Sequence, residues 1–549
     1  MLFNSPEFVV FFVLVYGLYL ALPFRFQNYM LLLASYVFYG WWDVRFLFLV
    51  ALSTTIDFWV GLMIANGQLR FRQWLVPAAF LTASAVVFLG LNPAALLHSK
   101  GNLVLGETVR VPMIFWSSAA VIIFVAAVSA IFWLLAAVDS PRRRFGCLMV
   151  SVVTQLGLLG VFKYFNFFVD SLSSALAGIG VHASALHLDI ILPVGISFYT
   201  FQSLSYTIDI YRGQFKPTNR FLDFSLFVAY FPQLQAGPIE RGRHLIPQLS
   251  KPRNINLHQT SRGLYLIILG FFKKVAIADG VSPVVDQIFS STGRITWIDV
   301  VVGTALFAVQ IYCDFSGYTD IARGISKLLG IDLIVNFNQP YFATNPQEFW
   351  RRWHISLSTW LRDYLYLPLG GSRGGLLFIC RNLMITMLLG GLWHGAAWNF
   401  VLWGFYQGSA LCIYRIWHQR FAKVAEPAQQ QSGIMHGVRH LAASIVFLVV
   451  TCYGWLLFRA HSFGQIVHFS SLLVTDFGDL NYSGGTPRLS ALLGIMLFSI
   501  MELLQYRMAD SHYYQRFPMP LRGFLVAMML AITMMGMSNE PAQFIYFQF

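Results

Sequence analysis

Residues 378–417 have the sequence FICRNLMITMLLGGLWHGAAWNFVLWGFYQGSALCIYRIW, in which two apolar runs are separated by the imidazole of His394. A helix crosses the bilayer core with about 20 apolar residues, and the runs on either side of His394 approach or exceed that length. Similar runs recur along all 549 residues of the chain. The sequence therefore predicts an all-α integral membrane protein with many spans.

The composition excludes an ordinary soluble protein. Hydrophobic residues make up 57% of the chain and charged residues only 11%, whereas an average soluble domain has about 25% charged residues. The formal net charge is +13, but the basic residues stand in short clusters between apolar runs. This indicates topology signals rather than a nucleic-acid-binding domain. The five cysteines lack metal-ligand spacing, so neither a metal site nor a disulfide framework is predicted.

The apolar runs give a set of candidate spans. The first run follows Glu7 and has no basic segment before it, so we expect a retained span rather than a cleaved signal peptide. The candidate spans lie near residues 8–24, 28–47, 48–67, 74–94, 113–138, 147–169, 190–209, 223–236, 262–280, 298–313, 378–393, 395–417, 439–459, 488–506 and 521–538.

Basic clusters order these spans across the membrane, because Lys and Arg concentrate at cytoplasmic ends. The segments 170–189 and 461–487 contain neither Lys nor Arg, as expected for exported loops. Following the last span outward from Arg522 places residues 537–549 on the periplasmic side, or in a cavity that opens there. The cytoplasmic clusters are at residues 70–72, 142–144, 415–423 and 507–522.

A polar, aromatic and basic stretch, residues 333–376, interrupts the apolar runs. Such backbone is tolerated at membrane depth only when it is buried in protein or lines a cavity, so we expect the functional centre here and in the span that follows. Asn345, a proline and Glu348 together predict the start of an interfacial helix that runs from Pro346 to about Tyr366.

The strongest candidate for chemistry is the segment GGLWHGAAWN, residues 390–399. An imidazole in a span needs a hydrogen-bond partner, because an unsatisfied polar group is costly in hydrocarbon. A structural histidine bonded to a nearby carbonyl is one interpretation. The flanking glycines favour a functional one, since they let backbone or substrate approach the ring closely. A desolvated His394 also tends to be neutral, the form that a general base needs.

A second histidine, His354, lies in the segment WHISLS, residues 353–358. The arginines around it suggest a site for a phosphorylated donor. Arg351 and Arg362 would lie about 20° apart on one face of the predicted helix. Anchoring of the helix to anionic lipid headgroups is the alternative. The predicted donor-binding residues are Arg351, Arg352, Arg362, Trp353 and Ser356.

Polar residues interrupt other apolar segments, as in CDFSGYTD at 313–320 and NFNQPY at 336–341. Buried acids are costly, so Asp314 and Asp320 should have partners. Pairing with arginines or capping of broken helices is one interpretation, and a role in function is the other.

Together these segments resemble the signature of the MBOAT superfamily, in particular its bacterial branch that includes the alginate O-acetyltransferase membrane subunit. The resemblance runs from Met1–Ser5 to the last residue. Its most specific parts are QAGPI at 235–239, DFSGY at 314–318, WH at 353–354 and GLWHG at 391–395.

The resemblance implies one polytopic domain over residues 1–549, with a catalytic core at about 190–420. Tilted, re-entrant and interfacial helices would surround a tunnel from a cytosolic donor site to an outer acceptor site. His394 would be the buried catalytic histidine and His354 the second histidine on the cytosolic side. The predicted tunnel-lining residues are Asp314, Asn338, Trp393 and Asn399.

The same resemblance implies an O-acetyltransferase of the bacterial inner membrane, in contact with membrane lipids, that takes acetyl-CoA as donor substrate and needs no cofactor. A periplasmic SGNH-type partner would esterify an exported polysaccharide. An alginate-like polysaccharide is the first candidate acceptor, and peptidoglycan, cellulose and teichoic acid are the alternatives. A lipid O-acyltransferase is a rival within enzymes. A transporter or channel is a rival outside them, although the chain lacks the repeated halves usual in transporters.

The last six residues, FIYFQF at 544–549, resemble the C-terminal aromatic-tyrosine motif of acyl-relay peptides in bacterial envelope acylation. An aromatic tail at the membrane interface is the alternative. The charge pattern independently puts Tyr546 on the acceptor side. A phenol with a pKa of about 10 is a better leaving group than an aliphatic alcohol, so Tyr546 is the third predicted catalytic residue.

Overall fold

The computed structural model describes residues 1–90, 111–181, 186–421, 434–510, 512–538 and 544–545. Within these ranges every regular element is helical, as the sequence predicts. Nine of the described helices are long and apolar enough to cross a membrane. They are Phe46–Asn66, Phe71–Leu89, Pro112–Ala136, Ser140–Gly178, Trp297–Leu328, Leu376–His394, Gly437–Arg459, Leu489–Met508 and Met519–Gly536.

The chain forms two compact units, the first made of Met1–Asn256 and Ser326–Leu333. The prediction of a single domain stays a prediction. The first unit contains α1 (Pro6–Ala21), α2 (Phe24–Gly40), α3 (Phe46–Asn66), α4 (Phe71–Ser84), α5 (Val111–Ala136), α6 (Ser140–Leu159), α7 (Phe165–Gly178), α8 (Ile196–Tyr211), α9 (Phe221–Ala229), α10 (Phe231–Leu234) and α11 (Gly242–Leu249).

Helix α3 is the centre of the first unit and packs against α6 and α8. Its Asp57 is fully buried and accepts a hydrogen bond from Gln155 of α6 at 2.8 Å. The same Gln155 amide donates to the hydroxyl of Ser53 at 2.7 Å. The buried side chains of Ser53, Asp57 and Gln155 are therefore linked by hydrogen bonds, which offset part of the cost of removing them from water.

The prediction of one continuous span near residues 223–236 is wrong. The segment folds as two short helices, α9 and α10, which separate at Tyr230. Pro232 lies in the first turn of α10. Proline lacks an N–H and fits the start of a helix far better than its interior, so the chain begins a new helix here instead of crossing in one.

The second unit comprises Leu257–Ile325 and Ile334–Phe549. Its helices α12 and α13 are joined by a π-helical turn, Phe272–Ala278, and a second π turn, Arg362–Tyr366, follows α16. The helices are α12 (Leu257–Phe271), α13 (Asp279–Ser290), α14 (Trp297–Leu328), α15 (Pro346–Arg352), α16 (Ile355–Leu361), α17 (Leu376–His394), α18 (Trp398–Phe421), α19 (Ile434–Arg459), α20 (Phe463–Thr475), α21 (Leu489–Met508) and α22 (Met519–Gly536).

Helix α14 is longer than the span predicted near residues 298–313. The prediction ended at the polar segment that contains Asp314 and Asp320, because acids in an apolar run suggest an interruption. In the structure the helix continues through both residues, and each carboxylate is paired with a lysine of the π turn Phe272–Ala278. The pairing offsets the cost of burying the acids, so the helix has no reason to break.

The single helix predicted from Pro346 to about Tyr366 is also wrong. Its start is as expected, since the Asn345 side chain accepts a hydrogen bond from the Glu348 amide at 2.9 Å. The helix ends after two turns, however, and His354 adopts a left-handed backbone conformation with φ of 41° before α16 begins. Arg351 and Arg362 therefore do not share the one helix face that the sequence predicted.

Glycines bring the backbones of α17 and α18 into contact. A methyl group built on Gly391 would overlap the carbonyl oxygen of Phe400, and one on Gly404 would overlap that of Met387. Only a residue without a side chain allows this approach. The contact fixes the last turn of α17, which ends at His394.

Replacing Gly391 with alanine is expected to destabilise the protein, because the backbone of α18 leaves no room for the added methyl group. Overpacking of this kind costs about 1–3 kcal/mol. A thermal unfolding curve of the purified protein in detergent should show a lower midpoint. Gly523→Ala in α22 is the control, since nothing lies within 4 Å of a Cβ at that position. Equal midpoints for the two variants would contradict the packing argument.

Candidate active site

His394 is the last residue of α17 and is buried, with 4% of its surface exposed. Its ring centroid lies 5.0 Å from that of Trp393, 5.1 Å from Trp403 and 5.4 Å from Phe458. Trp403 belongs to α18 and Phe458 to α19, so three helices contribute to the enclosure. The imidazole is therefore held in an aromatic cage away from bulk water.

The glycines near His394 allow atoms of α18 to pack closely against the end of α17. At Gly391 the neighbour is the α18 backbone, and at Gly395 a built methyl group would overlap the ring of Phe400. Of the two roles that the sequence left open, close approach of the backbone is the one seen at Gly391. The glycines thus pack the helices that enclose the imidazole.

His354 is fully buried at the junction of α15 and α16. The main chain is held on both sides of the junction. The Asn338 N–H donates to the Arg352 carbonyl at 2.9 Å. On the other side, the Ile355 N–H donates to the Asn336 carbonyl, also at 2.9 Å. A left-handed conformation is uncommon and strained for a residue other than glycine, and such residues cluster at functional sites.

Asn336 fixes the tautomer of His354. Its side-chain oxygen accepts hydrogen bonds from the backbone N–H of Ser356 at 3.2 Å and from the Ser356 hydroxyl at 2.9 Å. Because a backbone N–H can only donate, the amide atom facing it is the oxygen. The same oxygen lies 3.2 Å from Nδ1 of His354. Nδ1 therefore carries the proton and Nε2 the lone pair, and burial lowers the pKa of His354 to about 3, so the ring is neutral.

Trp393 lies between the two histidines. Its ring centroid is 6.0 Å from that of His354 and 5.0 Å from that of His394, and the indole is buried. The structure thus brings three residues predicted from two separate motifs into one buried cluster, His354–Trp393–His394. Their roles in catalysis and in lining a tunnel stay predictions.

Three further predicted residues make mainly structural contacts. The Asn399 amide donates to the carbonyl oxygen of Ala460 at 3.0 Å, which ties the start of α18 to the end of α19. Trp353 is buried against aromatic rings that include Phe337 and Trp455. Asn338 is exposed, and its backbone holds the His354 junction. These contacts are compatible with the predicted roles but do not test them.

The predicted donor-binding arginines have different surroundings. Arg352 is paired with Glu348 at 2.8 Å, and its guanidinium lies over the ring of Tyr506. Arg362 is exposed and paired with Asp363 at 2.7 Å. Arg351 is exposed as well. The two exposed guanidinium groups are accessible to a phosphorylated ligand, whereas Arg352 is already engaged in the packing of α15.

A cavity of about 620 Å³ lies elsewhere in the second unit. It is formed by the end of α13 and the segment that follows, residues 289–293, and by the first half of α20. Hydroxyl, amide and imidazole groups line it, among them Ser290, Gln465 and His468. The predicted site residues are not among its lining residues, so the tunnel past His394 stays a prediction.

The buried acids of α14 are paired mainly with lysines, which sequence reasoning missed. Lys273 Nζ lies 2.8 Å from Asp320, and Lys274 Nζ lies 2.7 Å from Asp314. Asp320 also has an arginine partner, Arg323, at 3.3 Å, so the expected arginine pairing holds for one acid and is wrong for the other. The signal was present in the sequence, since two adjacent lysines stand inside the predicted span near residues 262–280.

Tyr546 lies outside the described residues. The two residues before it, Phe544 and Ile545, are described, and both are buried, each with 2% of its surface exposed. These two residues therefore lie in the interior of the second unit, and the predicted alternative of a tail resting at the membrane interface is wrong for them.

Comparison with known proteins identifies related sequences. Residues 218–455, which include both histidines, match the family model of MBOAT, the membrane-bound O-acyltransferase family. Over 463 residues the chain is 38% identical to the probable alginate O-acetylase AlgI of Azotobacter vinelandii, a match that covers 84% of this chain and 76% of that protein.

Two other relatives match the chain over a shorter part. The peptidoglycan O-acetyltransferase of Helicobacter pylori is 39% identical over 294 residues, 49% of this chain and 55% of that protein. The teichoic acid D-alanyltransferase of Bacillus subtilis is 28% identical over 291 residues, 49% of this chain and 69% of that protein.

The all-helical fold, the membrane-spanning helices and the buried histidine cluster define a multi-pass membrane enzyme. The chain belongs to the MBOAT family and is a membrane-bound O-acetyltransferase.

Proposed function

We propose that this protein transfers acetyl groups from cytosolic acetyl-CoA across the bacterial inner membrane for O-acetylation of an exported polysaccharide. The main support is the buried His354–Trp393–His394 cluster in a chain of the MBOAT family. An alginate-like exopolysaccharide is the first candidate acceptor, because the relative from A. vinelandii is named an alginate O-acetylase and matches 84% of this chain. Peptidoglycan is the alternative suggested by the H. pylori relative.

His394 is the proposed general base. It withdraws the proton from an incoming hydroxyl group while the hydroxyl oxygen attacks the thioester carbonyl of acetyl-CoA. When the tetrahedral intermediate collapses, the C–S bond breaks and the imidazolium gives its proton to the departing thiolate, so that coenzyme A leaves as the free thiol. The aromatic cage supports this role, because exclusion of water protects the thioester from hydrolysis.

The indole of Trp403 is the proposed donor to the oxyanion. It is 1% exposed, and its N–H has no hydrogen-bond partner among the residues that the structure describes. Its ring centroid is 5.1 Å from that of His394. A neutral N–H held in a dry site stabilises developing negative charge without reorganising, which is the usual basis of oxyanion stabilisation.

His354 is proposed to orient the donor on the other side of the Trp393 ring. Its neutral imidazole is fixed by Asn336, and its lone pair is on Nε2, so this nitrogen acts as a hydrogen-bond acceptor. The exposed Arg351 and Arg362 are proposed to bind the phosphate groups of acetyl-CoA, with Arg352 in a supporting position beside Glu348.

Tyr546 is the proposed first acceptor. Its phenol oxygen takes the acetyl group, and the resulting ester passes that group to a serine of a periplasmic SGNH-type partner, which restores the tyrosine hydroxyl. The partner then esterifies the polysaccharide. Burial of the two preceding residues, Phe544 and Ile545, supports this proposal, because the residues adjoining Tyr546 in the chain lie in the interior of the second unit.

The proposal is tested with the purified protein in liposomes, by measuring release of coenzyme A thiol from acetyl-, butyryl- and palmitoyl-CoA. We expect turnover with acetyl-CoA at least tenfold faster than with palmitoyl-CoA. In cells, deletion of the gene should remove ester-linked acetate from the exported polysaccharide, as measured by proton NMR. Preference for palmitoyl-CoA would indicate a lipid acyltransferase, and full polymer acetylation in the deletion strain would exclude the proposed function.

A further inference from the structure

The C-terminal tail is bound through its main chain. The backbone N–H of Ile545 donates a hydrogen bond of 2.7 Å to Oδ2 of Asp314, a residue 231 positions earlier in the chain. Asp314 lies near the middle of the 32-residue helix α14 and is 2% exposed. A backbone N–H that is buried in the protein interior needs an acceptor from the protein. Asp314 supplies the acceptor that the Ile545 amide needs.

The Asp314 carboxylate is itself held by a buried cation. Its Oδ1 lies 2.7 Å from Nζ of Lys274, and the same ammonium group is 2.8 Å from the carboxylate of Asp279. Two carboxylates share one lysine, so their negative charge is only partly neutralised by it. A carboxylate in this condition is a strong acceptor, and hydrogen bonds from N–H groups to charged oxygens are shorter and stronger than neutral ones.

The side chain next to this bond, that of Phe544, packs on the same side of α14 as the histidine cluster. The ring of Phe544 packs on Tyr318 and Phe315 of α14, with centroid distances of 4.9 Å and 5.8 Å. The Phe315 ring contacts His354 edge to face at 4.7 Å. One aromatic ring, that of Phe315, therefore separates Phe544 from the buried His354–Trp393–His394 cluster.

We propose that Asp314, braced by Lys274, is a positioning residue that holds the C-terminal tail by the Ile545 amide and thereby sets the place at which Tyr546 receives the acyl group. The inference rests on the proposed relay through Tyr546. The tail is recognised in this proposal through the backbone N–H of Ile545, and the Ile545 side chain contributes less to binding.

Hydrogen exchange of the full chain in nanodiscs tests the anchor. The Ile545 amide, followed by mass spectrometry of C-terminal peptides, is expected to exchange at least tenfold more slowly in the wild type than in Asp314→Leu. Asp314→Asn, which keeps an acceptor oxygen and loses the charge, should fall between them. Lys274 keeps Asp279 as a partner in both variants, so neither leaves an isolated buried charge.

Asp279→Asn is the matched control. It removes the same charge from the same lysine, but the Asp279 carboxylate does not bind the Ile545 amide. Slow exchange of the Ile545 amide should persist in this variant.

A second pair of variants alters the backbone itself, since Ile545→Pro removes the N–H and Ile545→Val keeps it. The proline variant should show at least a tenfold loss of acetyl-Tyr546, whereas the valine variant should retain it.

The outcomes separate the anchor from the relay. Unchanged exchange in Asp314→Leu would overturn the anchor, even if Tyr546 is acetylated. Equal losses of acetyl-Tyr546 in Asp314→Leu and Asp279→Asn would overturn it too, because both acids would then act only through Lys274. If the wild type carries no acetyl group on Tyr546 while protection depends on Asp314, the relay is wrong and the anchor is supported.

Discussion

Replacing His394 with alanine is expected to reduce acetyl transfer by roughly 10²–10⁴-fold, the usual contribution of a general base. The imidazole is the only ionisable group in the described cage of Trp393, Trp403 and Phe458, so no cage residue can take its place. The measurements are release of coenzyme A thiol in liposomes and ester acetate on the polymer in cells. His394→Gln should be similarly inactive, because an amide fills part of the space but does not act as a base.

The control for this variant is His418→Ala. His418 lies on the neighbouring helix α18, where it is exposed and remote in sequence from the cage. Both variants should elute from gel filtration as the wild type does, since removal of the His394 ring leaves the surrounding helices in contact. Wild-type rates in a folded His394→Ala protein would disprove the proposed base.

Replacing Tyr546 with phenylalanine is expected to remove nearly all acetate from the exported polysaccharide. The substitution keeps the aromatic ring and removes the oxygen that would carry the acetyl group, so the tail can still bind while the transfer stops. Polymer acetylation in a complemented deletion strain is the measurement. Peptide mass spectrometry of the wild type should also detect an acetyl ester on Tyr546.

Tyr482→Phe serves as the matched control, because this tyrosine is exposed in a loop of the second unit and its hydroxyl donates a local hydrogen bond to the carbonyl of Gly485 at 2.7 Å. It should acetylate the polymer as the wild type does. Undiminished polymer acetylation in Tyr546→Phe would show that the acetyl group reaches the partner without this tyrosine.

Features that depend on local sequence could be predicted. The apolar runs identified most of the spans, because crossing a bilayer needs an uninterrupted length of apolar residues whatever their neighbours are. The helix start at Asn345 was predictable for a similar reason, since an N-cap bonds only two or three residues along the chain. His394 stood out because an imidazole between two apolar runs is chemically unusual.

Contacts between distant segments could not be predicted. The helix pattern from Pro346 onward gave no sign of the break at His354, since the hydrogen bonds that hold it come from Asn336 and Asn338. Helix α14 was predicted too short because the lysine partner of Asp314 lies 40 residues earlier in the chain. The anchor of Ile545 joins residues separated by 231 positions.

By itself the sequence determined that the chain is a membrane-embedded helical protein with a histidine among apolar residues, because hydropathy and helix capping act over a few turns of one helix. Only the tertiary structure decided which polar groups share the interior: His354 and His394 on either side of Trp393, Asn336 as the partner that sets a tautomer, and Asp314 as the acceptor for the tail. The physical reason is that the cost of a buried polar or charged group is offset by a partner in space, and its position in the chain does not identify that partner.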